Sequence, residues 1–268
     1  MNNLKIGVAG CLGRMGKELV KAIENNPKTD FVGGFEHSSN SNIGKPIGEI
    51  LSLKTNFILT DDPKQVFEKS QVIIDFTTSE STINNLDIAS KYKIPLVIGT
   101  TGLTEEANNL IKKTSATIPI VYSENMSIGI NILTNLVERA SSILSSEEYD
   151  VEILERHHRY KIDAPSGTAL SLGKAVSRGR EEDFNKIKIF DRTSQKQKRK
   201  KGDIGFSVVR AGEITGDHKV SFIGNNDEIH FFHSSRNRSI FINGAIKAAF
   251  WLVNKKSGIY SFNDVIGI

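Results

Sequence analysis

Short apolar runs alternate with longer segments of helical spacing through the first half of the chain. Leu4–Ala9 is an apolar run, and Gly13–Ile23 follows with helical spacing. Phe31–Phe35 is again apolar and contains glycine. Val72–Phe76 reads as a buried strand before a helix through Ser81–Tyr92. Pro95–Ile98 reads as a strand before a helix from Glu105 to about Lys113, and Ile118–Tyr122 as a further strand. Strands separated by helices at this spacing predict βαβ units and a parallel sheet.

Ile128, Ile132, Leu136, Val137, Ala140 and Leu144 then mark one face of a helix. The pattern changes after Tyr149. Val151–His157, Lys186–Phe190, Ile204–Arg210, Lys219–Ile223 and Glu228–His233 read as strands, with a single helix among them at about Gly167–Ser177. Few helices among many strands predict a largely antiparallel or mixed sheet, and so a second domain. Ile240–Val253, with Ile242, Ile246, Ala249, Phe250 and Val253, is an amphipathic helix. The chain has no internal repeat.

A length of 268 residues suits one large domain or two modest ones. The formal charge of +4, from 35 basic and 31 acidic residues, is compatible with small anionic ligands but singles none out. Cys11 is the one cysteine, which excludes an intramolecular disulfide and points to a reducing compartment. The first ten residues lack a charged segment followed by a long apolar one, so no leader peptide is expected. No apolar run approaches the ~20 residues of a membrane span. These observations predict a cytoplasmic protein without a membrane partner. The basic run Gln195–Lys201 could be a nucleic-acid arm or a solvated loop. It has no interleaved aromatics on which bases could stack, so the loop is the reading adopted and no nucleic-acid partner is expected.

Two stretches carry candidate chemistry. The first is Gly10-Cys11-Leu12-Gly13-Arg14-Met15-Gly16, between the first strand and the first helix. Small residues there permit a tight turn and let a pyrophosphate approach the backbone at a helix N-terminus. Arg14 could pair with phosphate. Glu36 lies twenty residues after Gly16 at a strand end, where an acid can meet ribose hydroxyls. With the strand–helix alternation, this predicts a Rossmann-like α/β domain followed by an α+β domain. The next residue, His37, is a weaker partner for a 2′-phosphate than arginine, so NADH should serve at least as well as NADPH.

The second stretch runs from His157 to Ala169, with His157, His158, Lys161 and the sequence Pro165-Ser166-Gly167-Thr168-Ala169. Ser166 is a good N-cap, and Gly167 and Thr168 offer the backbone N–H groups of a helix start. Such an end favours anions. The upstream imidazoles and ammonium can donate protons or hold carboxylates. Neighbouring residues on a strand point to opposite faces, so His157 and His158 can share a ligand only if the strand ends or bends there. His230 and His233 fall on opposite faces of a strand and no other ligands are evident, so no metal site is expected.

Glu155–Ala169 resembles the signature E-x-H-H-x-x-K-x-D-A-P-S-G-T-A of the dihydrodipicolinate reductase family, also called 4-hydroxy-tetrahydrodipicolinate reductases, and the Gly-Arg-Met-Gly variant of the glycine turn is one that family carries. The resemblance spans nearly the whole length. It implies hydride transfer from NADH or NADPH to a cyclic dicarboxylate, giving tetrahydrodipicolinate for lysine and diaminopimelate synthesis. It implies a dinucleotide-binding domain over residues 1–126, a substrate-binding and oligomerisation domain over 127–237, and a C-terminal part, 238–268, that packs back on the first. His157 is implied as proton donor, Lys161 as the second catalytic group, and His158, Gly167 and Thr168 as substrate contacts. Cofactor contacts are implied at Gly10, Cys11, Leu12, Gly13, Arg14, Met15 and Glu36. Gly99, Thr100 and Thr101 are implied beside the nicotinamide ribose, and Ser123, Glu124, Asn125 and Met126 near the nicotinamide. Glu124 departs from the family's small or neutral residue. Arg210–His218 and Ser234–Arg236 also resemble family blocks and are read as structural. A homotetramer is implied.

Two alternatives stand beside this reading: another two-domain NAD(P)-dependent oxidoreductase, or a nucleotide-binding protein without catalysis. Semialdehyde-type chemistry would need a cysteine in the second domain, and the only one lies in the glycine turn. A binding protein that had lost catalysis should have lost the His157–Lys161 pair.

Overall fold

The computed structural model describes residues 3–268. The chain forms β1 (Leu4–Ala9), α1 (Arg14–Glu24), β2 (Thr29–Phe35), α2 (Ile47–Leu51), α3 (Lys64–Phe67), β3 (Val72–Asp75), α4 (Ser79–Tyr92), β4 (Leu96–Ile98), α5 (Glu105–Thr114) and β5 (Pro119–Tyr122). There follow α6 (Ile128–Ser141), β6 (Asp150–His157), α7 (Gly167–Gly179), α8 (Phe184–Ile187), β7 (Lys188–Ile189), β8 (Ile204–Arg210), β9 (Gly216–Ile223) and β10 (Glu228–Ser235). The chain closes with α9 (Ser239–Leu252), β11 (Gly258–Tyr260) and α10 (Phe262–Ile266). Two compact units result: the chain up to Ser127 with Ser239–Gly267, and Ile128–Arg238.

The first unit holds a six-stranded sheet in the order β11-β5-β4-β3-β1-β2, every pair parallel. Strand residues alternate between two cores, because successive side chains leave a strand on opposite faces. Ile6, Val8, Val72, Ile74, Val97 and Val121 pack with Leu19 and Ile23 of α1 and Ile242 and Ala249 of α9. Ala9, Ile73, Leu96, Ile98 and Ile120 pack with Phe67, Leu86 and Ile111 of α3, α4 and α5. Helices on both faces explain why β3 and β4 are buried throughout. The chain moves from β1 to β2 on one side and then crosses back to β3 on the other. The carboxyl ends of β1 and β3 therefore flank a topological switch point, where ligands of open parallel sheets bind.

The second unit holds a mixed five-stranded sheet in the order β10-β9-β6-β8-β7. β9 is antiparallel to both β6 and β10, whereas β8 is parallel to β6 and β7. Val151, Ile153, Phe206, Val220 and Phe222 pack against Leu133 and Val137 of α6 and Leu172 and Val176 of α7.

Two sequence expectations are corrected here. α6 buries Ile130, Leu133 and Val137, whereas Ile128, Ile132 and Leu136 are exposed. The helix carries two apolar stripes, and the one at 130, 133 and 137 faces the sheet. The strand expected over Lys186–Phe190 begins as a turn of helix. The Asp183 carboxylate accepts the Asn185 N–H at 3.0 Å, caps α8 and leaves only Lys188–Ile189 extended.

Candidate active site

In the first unit, Gly10 and Gly13 follow β1, Glu36 and His37 follow β2, and Phe76 and Thr77 follow β3. All of them line one cleft of about 500 Å³. Gly10 has φ +64°, which turns the chain out of the strand. A side chain on Gly16 would lie 2.0 Å from the Gly10 carbonyl oxygen, so glycine lets α1 start directly against the turn. Gly13 caps α1 without a side-chain hydrogen bond, and the first turn has no acid. By contrast, Thr78 and Thr104 cap α4 and α5. The positive end of α1 is thus left for another anion.

The Glu36 carboxylate accepts the Leu12 N–H at 2.6 Å, tying the strand-end acid to the glycine turn. His37 is exposed, with Nδ1 2.8 Å from the Ser39 hydroxyl. Arg14 is exposed beside the turn. The residues fit a dinucleotide: an uncapped helix end for phosphates and an acid across the cleft for hydroxyls.

Cys11, Thr100 and Met126 have buried side chains and can meet a ligand only through their backbone. The Cys11 side chain is fully buried, and burial together with the nearby Glu36 charge pushes its thiol up to about 12. Leu12 and Met15 pack on the core, and Met126 is part of it. Thr100 is buried beyond β4, and its hydroxyl accepts the Thr77 N–H at 3.1 Å and donates to Asp75 at 3.3 Å. Asp75, fully buried, also accepts from the Thr77 hydroxyl at 2.6 Å and the Asn85 amide at 2.9 Å. The sequence reading missed this brace, whose only signal is a lone acid at the end of an apolar strand. Gly99 is buried and Thr101 exposed. Beyond β5, the Ser123 hydroxyl donates to the Asn125 carbonyl at 2.8 Å, and the Asn125 side chain accepts the Ser127 N–H at 2.9 Å. Glu124 is exposed; burial and then its carboxylate raise the phenol of Tyr122.

In the second unit, Val151, Ile153, Glu155 and His157 share the buried phase of β6. The strand ends at His157, which releases His158 from the alternation. Glu155 is 1% exposed. Its carboxylate accepts Nη1 and Nη2 of Arg210 at 2.8 Å each, the Ser166 N–H at 3.0 Å, and a short hydrogen bond from His157 Nδ1. Burial alone would raise its pKa. The hydrogen bonds from His157, Arg210 and Ser166 outweigh that and hold it at about 2.

His218 stands edge-on to His157 with ring centroids 5.1 Å apart, and its Nε2 lies 3.1 Å from the Ser166 hydroxyl. Burial, then the neighbouring His157, lowers the His218 pKa to about 4, so this second imidazole is neutral at physiological pH. The Ser166 hydroxyl also accepts the Ala169 N–H at 3.2 Å, which caps α7. Gly167 opens that helix exposed, and Thr168 is partly buried behind it. Lys161 lies in the connecting loop with its ammonium 2.8 Å from Asp163, whose carboxyl it holds below the usual range. His158 Nδ1 is buried without a hydrogen-bond partner.

β6 therefore brings His157 beside the Ser166–Thr168 helix end, with Lys161 and His158 in the loop between them. Arg210 and His218, read as structural from the sequence, belong to this cluster. Their signal was register: in the parallel β6–β8 pair, His157 lies opposite Arg210. Arg156, on the other face, binds Asp217 through Nε at 3.1 Å. Among the described residues, no group of three or more His, Cys, Asp or Glu is placed to hold a metal. In the basic run, Arg199 pairs with Glu152 and Asp150, and Lys201 pairs with Glu147. Among the described residues, no helix is long and apolar enough to cross a membrane.

Comparison with known proteins places both units. Residues 4–126 match the family model for the N-terminus of dihydrodipicolinate reductase, and 129–266 match that for its C-terminus. The chain is 40% identical over 265 residues to a 4-hydroxy-tetrahydrodipicolinate reductase of Polynucleobacter necessarius, covering 99% of each. It is 41% identical over 262 residues to one of Brucella abortus, covering 97% of this chain and 98% of that one. The structure resembles that of a dipicolinate-bound dihydrodipicolinate reductase from Paenisporosarcina sp. TG-14, with TM-score 0.74, 22% identity, and coverage of 98% and 99% of the two chains. Both halves and the full length agree, and the chain belongs to the dihydrodipicolinate reductase family.

Proposed function

We propose that the chain is an NAD(P)H-dependent reductase that converts 4-hydroxy-tetrahydrodipicolinate to tetrahydrodipicolinate, a step of lysine and diaminopimelate synthesis. The observation that carries this reading is the buried His157 tied to Glu155 beside the capped start of α7, in a chain that matches this family end to end. In the net equation one hydride and one proton enter, and the hydroxyl oxygen leaves as water.

The bound cofactor supplies the hydride. The glycine turn Gly10–Gly13 and the uncapped start of α1, with Arg14 beside it, hold its phosphates. Glu36 meets the adenosine ribose, and the ends of β4 and β5 receive the nicotinamide half through Gly99, Thr101 and Ser123–Met126. His37, exposed and without a guanidinium, favours NADH at least as much as NADPH.

The first unit is the dinucleotide-binding domain and the second the substrate domain. The substrate is a doubly negative ring, and two groups of donors match its charges. Gly167 and Thr168 at the start of α7 receive one carboxylate; Lys161 and His158 receive the other. His157 gives a proton from Nε2 as hydride arrives, because its Nδ1 is already committed to Glu155. Lys161 assists by stabilising the negative charge that builds on the ring.

The assembly we propose is a homotetramer built on the sheet of the second unit, where Phe232 is 57% exposed. Light scattering should give four copies; a monomer would overturn this. With its single cysteine buried and unpaired, the protein suits the cytoplasm. Activity is tested by supplying enzymatically prepared substrate to purified protein and following consumption of NADH. Substrate-dependent consumption is expected, and its absence with both NADH and NADPH would overturn the reading.

A further inference from the structure

The Glu155 carboxylate is almost wholly buried and held by the chain on several sides. Four N–H donors from three parts of the chain converge on it: two from Arg210 on β8, one from the backbone of Ser166 at the head of α7, and one from His157 on β6 itself. An ionised carboxylate accepts and does not donate. Three of the donors are obligate N–H groups that leave no lone pair seeking a proton, so the hydrogen atom between Glu155 and His157 resides on Nδ1. The other ring nitrogen, Nε2, faces Gly216, where even a single added carbon would come within 3.0 Å of it. One side of the imidazole is thus pinned and the other kept clear.

We propose that Glu155 is the positioning residue of the proton donor: it accepts the His157 Nδ1–H, fixes the ring's tautomer and plane, and leaves Nε2 as the nitrogen that meets substrate. Through the Ser166 N–H the same carboxylate also locks His157 to the start of α7. Proton donor and anion-binding helix end are therefore indexed to one acceptor. Arg210 completes the device. It balances the carboxylate's charge inside the protein, where an unpaired one would be costly. It also donates to the Asp163 carbonyl at 2.6 Å, so the loop that carries Lys161 hangs from the same guanidinium. His218 adds no charge, as its neutral ring sits edge-on to His157 and is held by the Ser166 hydroxyl.

The inference deepens the reductase reading and rests on it. Its test is the nitrogen chemical shifts of His157 in uniformly labelled full-length protein, with His157→Gln identifying the signals. In the wild-type protein with neutral imidazole, Nδ1 should carry the proton. In Glu155→Gln, whose amide can donate as well as accept, the Nε2–H tautomer should appear. Turnover should fall about 10- to 100-fold while the KM for NADH stays within about twofold. Glu155→Asp keeps an acceptor and should restore the Nδ1–H tautomer with part of the turnover. A wild-type His157 protonated at Nε2, or a Glu155→Gln protein with the wild-type tautomer, would overturn the role of Glu155. Should Glu155→Gln fail to fold, the wild-type and Glu155→Asp spectra decide. No substrate-dependent consumption of NADH or NADPH by the wild-type protein would instead overturn the reductase reading itself.

Discussion

At the end of β1 the groups offered to an anion are mostly backbone amides, with the cationic side chain of the exposed Arg14 beside them. At the end of β6 the corresponding groups are side chains: a carboxylate, a guanidinium and two imidazoles, nearly all buried. The first arrangement costs little, since a helix end and a turn carry their N–H groups whatever the sequence. The second gathers charge in a low-dielectric interior and holds together only because each charge has a partner. A cofactor that arrives and leaves needs only a fitting cradle. A proton donor needs one nitrogen free to give its proton, one direction fixed and, here, the neighbouring imidazole of His218 kept neutral.

This contrast can be broken at either end. Replacing His157 with Gln should lower turnover by about 10²- to 10⁴-fold and leave the affinity for NADH unchanged, as kinetics and fluorescence titration would reveal. Lys161→Ala should act in the same direction by a smaller factor, and a normal turnover in either variant would remove that residue from the chemistry. On the other side, Gly16→Ala drives a methyl group into the Gly10 carbonyl. It should cost about 1–3 kcal/mol of stability in denaturant unfolding and weaken NADH binding, with the His157 nitrogen shifts unchanged. A shift at His157 in that variant would show that the two regions are not separable.

Acid should find the second region first. Glu155 titrates at about 2 in the folded chain instead of 4.5, so its contribution to stability is complete above about 4.5 and is lost as pH falls from there towards 2. His218 titrates at about 4 instead of 6.5 because burial disfavours its charged form. The unfolded chain takes up that proton first, so stability also declines as pH falls from 6.5 towards 4. Denaturant midpoints measured across this range should slope less in His218→Gln above pH 4 and less in Glu155→Gln below it. Equal slopes in all three proteins would contradict the assignment.

The comparison also explains what could be read from the sequence. The glycine turn, Glu36 and the α7 cap are local patterns: a spacing, a strand end, a serine before a helix. They were legible because backbone geometry demands small or capping residues at those places. The parallel sheet and the mixed one followed from the same periodicities. Arg210 and His218 were passed over because their roles depend on register between strands far apart in the chain. Asp75 is similar, since a buried brace looks like any polar residue at a strand end. Glu155 was partly legible: it shares the phase of Val151 and Ile153, so alternation alone puts it inside. α6 misled because it carries apolar residues on two stripes and periodicity does not say which one faces the sheet.

Smaller effects sharpen the account of the first region. NADPH should not be preferred over NADH by as much as about tenfold, and His37→Arg should move the ratio towards NADPH. Specificity constants for both cofactors measure this, and a strong NADPH preference in the wild-type protein would contradict it. Cys11, buried and with its thiol near 12, should resist iodoacetamide at neutral pH in the folded protein and react once it is unfolded, as mass spectrometry would show.

The central claim is that a chain of this family reduces its cyclic dicarboxylate with hydride from NADH while His157 supplies the proton. Its most direct test sets wild type beside His157→Gln, with enzymatically made 4-hydroxy-tetrahydrodipicolinate and NADH. The account predicts rapid consumption of NADH that depends on substrate in the first and nearly vanishes in the second, although both bind the cofactor. Equal rates in the two proteins, or no substrate-dependent consumption in either, would contradict it.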